Sequence, residues 1–154
     1  MLEMLRTKKT QAMLLGILDK PMDVADAANK LKLKREYIEE CLATLASAGD
    51  IVLIRVDKSD YAFSMRGFTA LSKRIERFLR KKGSCERMEI VCNITGDTIE
   101  SFFVFKALGV LIEKNLITET ALGRVPNNKR AAQAEKYVYT HIKKPMKSVV
   151  IEID

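Results

Sequence analysis

The sequence predicts a mostly α-helical chain with small β-hairpins, an α+β class in which one short unit is used twice. Three observations carry that expectation. Residues 23 to 64 place two amphipathic segments, a glycine stop and a pair of strand-like runs in close succession. The same apolar spacing returns at an offset of 66 residues. Of the 154 residues, 47% are hydrophobic and 31% charged, the balance of a globular chain that can bury a core.

Taken in order, Thr10 to Lys20 reads as the first helix. Met13, Leu14, Ile17 and Leu18 share a face, and Pro21 follows where a helix cannot continue. Asp23 then stands where an N-cap is wanted, ahead of Val24, Ala27, Ala28 and Leu31 at i, i+3, i+4 and i+7. Lys32-Leu33-Lys34 breaks the period. A further helix sets Ile38, Cys41, Leu42 and Leu45 inward, and Gly49 supplies the left-handed residue that ends it. The β-branched run Ile51 to Val56, the turn residues Asp57-Lys58-Ser59-Asp60 and the alternating Tyr61 to Ser64 complete a hairpin.

After Met65-Arg66-Gly67 the programme runs again. Ile75, Phe78 and Leu79 repeat Leu14, Ile17 and Leu18 at an offset of 61. Beyond a few inserted residues around Lys82 to Cys85 the offset becomes 66: Val24 matches Ile90, Ile38 matches Val104, Leu42 matches Leu108, Leu45 matches Leu111 and Ile51 matches Ile117. Asn115 replaces Gly49, and asparagine also tolerates the left-handed cap. Leu116 to Leu122 and Lys136 to Ile142 form the second hairpin, with Arg124, Lys129 and Arg130 in its long loop. The expected domains are 7–66 and 67–142. A β-prone tail, 143–154, is suited to adding an edge strand to its own sheet or a partner's.

This layout resembles the winged helix-turn-helix superfamily, as two such domains in tandem. Leu33 sits where an apolar residue of the inter-helix turn plugs the core. Leu45-Ala46-Ser47-Ala48-Gly49-Asp50-Ile51 matches the LxxxGxI pattern that closes the second helix. The resemblance implies a duplex-DNA-binding protein, most simply a transcriptional regulator, whose second helix enters the major groove while the wing touches the backbone. Carried onto this chain, those positions are Lys34, Arg35, Tyr37 and Thr44 on the helix and Arg55 and Lys58 on the wing. Two departures weaken the match: Lys34 replaces the usual capping residue, and Glu36 and Glu40 face where phosphate readers belong. Some tandem winged-helix proteins hold protein partners instead, as scaffold subunits of chromosome-associated complexes. A replication initiator or partition factor of a plasmid or phage, which would bind DNA equally well, is the third expectation.

Charge adds to the DNA reading. Of the net +7, the first 66 residues carry 11 basic and 10 acidic side chains, and the rest carry 16 and 10. On the helix from Phe68 to Lys82, with Leu71, Ile75, Phe78 and Leu79 inward, Lys73, Arg77, Arg80 and Lys81 share the outward face. Because no aromatic falls among these cations, a single-strand stacking platform is not expected. Phe102, Phe103 and Phe105 exceed what one helix face buries. They mark either a homodimer or partner surface of the second domain, or residues covered by the first repeat.

Other classes find little support. Three cysteines without a CxxC spacing and a single histidine, His141, give neither a disulfide framework nor a metal site, and no cofactor is implied. No Gly-rich phosphate loop, paired catalytic carboxylates or nucleophile elbow is present, so the chain is not expected to be an enzyme. The sequence lacks an apolar run of membrane-spanning length. The expected location is cytoplasmic, and nucleoid-associated if the protein is DNA-bound.

Overall fold

A computed structural model describes residues 2–124 and 135–142. Among them are six helices and two three-stranded antiparallel sheets, a mixed α+β chain. The first series is α1 (Leu2–Ile17), β1 (Met22–Asp23), α2 (Val24–Leu31), α3 (Arg35–Ser47), β2 (Ile51–Val56) and β3 (Ser59–Ser64). The second is α4 (Met65–Lys82), β4 (Ser84–Glu86), α5 (Arg87–Ile94), α6 (Thr98–Glu113), β5 (Ile117–Arg124) and β6 (Glu135–His141). The strand orders are β1-β3-β2 and β4-β6-β5, so the two series also share a sheet topology.

The repeat extends to backbone hydrogen bonds. Helix α3 closes with Gly49 N–H donating to the Ala46 carbonyl and Asp50 N–H to that of Leu45, while Gly49 sits at φ 81°. Helix α6 closes in the same way, through Asn115 to Ile112 and Leu116 to Leu111, with Asn115 at φ 60°. The ends of β3 and β6 are also fastened alike. Ser64 N–H reaches the Leu18 carbonyl and Met65 N–H that of Asp50; His141 N–H reaches Gly83 and Ile142 N–H reaches Leu116.

Several local features differ from the sequence expectation. Helix α1 begins at Leu2 and ends at Ile17, not Lys20. Asp23 caps α2 as expected, its Oδ1 accepting from Ala25 N–H at 2.8 Å, but the helix ends through Lys32, which adopts the left-handed conformation at φ 58°. The first hairpin turn is only Asp57-Lys58, because Val56 pairs with Ser59 and Arg55 with Asp60. Asp57 takes the left-handed conformation there, at φ 59°.

The described residues divide into two compact units: those up to Leu71 with Asp97–Phe103, and Ser72–Gly96 with the described residues from Val104 onward. Helices α4 and α6 therefore contribute to both. In the first unit Leu14, Leu18, Val24, Ala27, Ile38, Cys41, Leu42, Leu45, Ile51 and Ala62 form one core, with Leu33 and Tyr37 half-buried against it. An aromatic group also lies in this unit. Phe103 meets Phe63 edge-on at 5.1 Å and Phe68 at 6.5 Å between ring centroids, and Phe102 meets Tyr61 at 5.4 Å. In the second unit the buried apolar residues include Ile75, Leu79, Cys85, Ile90, Leu108, Leu111, Ile117 and Tyr139.

Gly67 is the position where the first unit has no room for a side chain. A Cβ there would enter the Phe63 ring and stand 2.9 Å from the Asp19 carbonyl oxygen. The ring is itself buried, with Phe63 2% exposed, and cannot swing into solvent. Gly67→Ala is expected to lower unfolding free energy by about 1 to 3 kcal/mol in denaturant titration, the usual cost of overpacking.

Candidate nucleic-acid interface

On α3 the outward face mixes signs. Arg35, Glu36, Glu39, Glu40, Ala43, Thr44 and Ser47 are exposed. Lys34 precedes the helix as its N-cap without a side-chain capping bond, and is exposed. Arg35 is tied to Glu39, Nε to Oε2 at 3.3 Å, so part of its charge is already answered. The Thr44 hydroxyl donates back to the Glu40 carbonyl at 3.1 Å. Tyr37 faces inward more than outward. Its hydroxyl lies 3.4 Å from those of Thr7 and Thr10, and the Arg6 guanidinium stands 5.6 Å from its ring centroid. Tyr37 therefore fixes α3 to α1, and its polar tip has partners of its own. On the hairpin Lys58 is exposed at the turn, and Arg55 lies 3.8 Å from Asp60.

Helix α4 concentrates cations without that dilution. Lys73, Arg77, Arg80 and Lys81 are all exposed, as their spacing requires. Arg77 and Lys81 make no ion pair or hydrogen bond with a described residue. Arg80 does, to Glu76 Oε2 at 3.1 Å, and the same oxygen lies 3.4 Å from His141 Nε2. The Arg80 side chain remains exposed while Glu76 is half-buried, so the pair leaves the guanidinium open to solvent on its outer side. Arg74, one turn before Phe78, donates to the Ile94 carbonyl at the end of α5.

Together with Phe78, Asn93 and Ile94, the cations Arg74, Arg77, Arg80 and Lys81 border an open, shallow depression of about 520 Å³. Four cations and no carboxylate line it. Phe78 is a correction to the sequence reading: instead of lying fully within the buried stripe, it is half-buried and shares the wall with the cations. The cause is its place at the edge of the stripe, beside Ile75 and Leu79, which are fully buried.

The remaining sequence candidates separate. Arg124 ends β5, and Lys129 and Arg130 lie outside the described residues, as does the 143–154 tail. Phe103 is fully buried against Phe63 and Phe68, so of the two expectations held for it, a partner surface or a covered position, it takes the covered one. The reason is geometric: its neighbours on the inner face, Val104 and Ala107, make that stripe wider than the one drawn through Val104, Leu108 and Leu111 alone. Phe102 is half-buried. Phe105 is 44% exposed, and the Arg87 guanidinium stands 5.2 Å from its ring centroid.

Arg87 belongs to a cluster that sequence reasoning missed. Its Nε and Nη2 donate to the Tyr139 hydroxyl at 3.0 and 2.7 Å, and that hydroxyl donates to Glu119 at 2.6 Å. Tyr137 presents its ring centroid 4.6 Å from the same guanidinium. Burial, and then the Glu119 carboxylate, hold the Tyr139 phenol above its usual pKa. The cluster ties α5 to β5 and β6. Its members are 20 and 52 residues apart in the chain, so no local pattern announces them.

The three cysteines are free and differ in access: Cys41 and Cys85 are buried and Cys92 is exposed. Burial also pushes the Cys41 and Cys85 thiols up, further disfavouring their thiolates. With an aromatic disulfide reagent at about pH 8, the folded chain is expected to release one equivalent quickly and the other two only in denaturant. Rapid release of all three would contradict the placement of Cys41 and Cys85.

Among the described residues no three His, Cys, Asp or Glu side chains come together as metal ligands, and no helix is long and apolar enough to cross a membrane. No protein-family model matches the chain, and no curated protein matches it.

Proposed function

We propose that the chain is a pair of tandem winged helices that binds duplex DNA, acting by occupying a site rather than by chemistry, most simply as a transcriptional regulator. The observation that carries the reading is the doubled order helix, strand, helix, helix, strand, strand, with both third helices ended by the same hydrogen-bond closure at Gly49 and Asn115. Fold alone does not fix function, so the charge pattern bears the rest. Phosphate contact is assigned to the wing residues Arg55 and Lys58 and above all to Lys73, Arg77, Arg80 and Lys81, and contact with base edges to Lys34 and Arg35 at the start of α3. The acidic middle of α3 contributes little. A cytoplasmic, nucleoid-associated location accompanies this reading.

A specific observation favours a second reading, a protein-holding module of a chromosome-associated complex. The exposed face of α3 carries Glu36, Glu39 and Glu40, and α6 leaves Phe105 exposed. Selection of bound sequences from a random duplex pool at moderate salt separates the two. An enriched motif supports a regulator or a replication initiator. Absence of enrichment together with absence of duplex retention favours the protein-holding module.

A further inference from the structure

The depression beside α4 has a composition that a smooth phosphate backbone does not call for. Contact with a duplex needs cations on an outward face, and those are present. It gains nothing from an aromatic ring and an aliphatic side chain set between them, yet Phe78 and Ile94 form part of the wall. Among the four cations two are already engaged, Arg74 with the Ile94 carbonyl and Arg80 with Glu76. Arg77 and Lys81 are one helical turn apart, exposed, and without a partner among the described residues. A guanidinium offers a planar fork and an ammonium a point charge, a pairing suited to a phosphate group. The hollow is about 520 Å³, within the range of roughly 300 to 1,000 Å³ in which small ligands are held. With no carboxylate in its wall, it selects an anion.

We propose that this depression binds a nucleoside phosphate, the phosphate held by Arg77 and Lys81 and the base laid against Phe78 and Ile94. The same chemistry is supplied by a free nucleotide or by an unpaired nucleotide of a strand. The inference rests on the exposed cations and the aromatic wall and not on the duplex-binding reading, so each can fail while the other stands. Asn93 adds polar discrimination at the rim. Its amide nitrogen donates to the Glu89 carbonyl at 2.8 Å, leaving the side-chain oxygen as an acceptor.

Calorimetric titration of the full chain with adenosine diphosphate, pyrophosphate, adenosine and a short oligodeoxyadenylate tests this. Adenosine diphosphate or the oligonucleotide is expected to bind about ten-fold more tightly than pyrophosphate, the share that stacking on one aromatic supplies. The first of these binding alone identifies a free nucleotide as the ligand, and the second alone a strand. Arg77→Glu with Lys81→Glu, both at exposed positions, is expected to abolish binding of every phosphate-bearing probe. Phe78→Leu is expected to bring the nucleotide down to the level of pyrophosphate. Should that variant melt early, the wild-type comparison of nucleotide with pyrophosphate still decides. Equal affinity for those two, binding that survives the double charge reversal, or no binding of either nucleotide probe overturns the proposal.

Discussion

Phe103→Ala is expected to destabilise the first unit by about 3 to 5 kcal/mol, the cost of emptying a buried phenylalanine site. The ring is fully buried and meets both Phe63 and Phe68, so its removal leaves a cavity bordered by two rigid aromatics that cannot collapse into it. Urea titration of the variant should show the midpoint falling with the mass in sedimentation unchanged. Phe105→Ser gives the contrast. At 44% exposure that side chain loses far less on truncation, so stability should fall by no more than about 1 kcal/mol. If Phe103→Ala left stability intact while reducing the assembly mass, Phe103 would belong to an interface after all.

The largest functional effect is expected from Arg77→Ala combined with Arg80→Ala. Each phosphate neutralised adds about 0.9 to the magnitude of the logarithmic salt slope, so losing two contacts flattens it by about two units and weakens duplex binding roughly 50-fold near 0.1 M salt. The loss should be alike for all sequences, because backbone contacts carry no base information. Lys34→Ala with Arg35→Ala should instead shift which sequences are preferred, since those side chains stand at the start of α3. Stability should change little in either pair, as all four residues are exposed and the ion pairs of Arg35 with Glu39 and of Arg80 with Glu76 leave the arginine in solvent.

The parts of this chain that the sequence made legible are those written in short-range periodicity. The buried faces of α2, α3 and α6 follow from i, i+3 and i+4 spacing, and Val24, Ile38, Leu42, Leu45, Val104, Leu108 and Leu111 are all buried as read. Gly49 and Asn115 announced their left-handed caps through residue type. What escaped is nonlocal. Strands β1 and β4 are two and three residues long and exist only by pairing with β3 and β6, so their sequences hold no alternation to detect. Lys32 in the left-handed region could not be inferred from a residue type that rarely goes there. The Arg87, Tyr139 and Glu119 cluster is assembled across three elements. The cationic row of α4 was legible from 100° geometry, but the hollow was not, because it requires Asn93 and Ile94 from the end of another helix.

A titration of a labelled duplex with the 154-residue chain at a series of salt concentrations tests the central claim most directly. Duplex binding through the distributed cations predicts that log K falls linearly with log salt concentration, with a slope about two units shallower for the Arg77 and Arg80 double variant. No duplex binding even at about 20 mM salt, where the Debye length exceeds 20 Å and every exposed cation is felt, would contradict it.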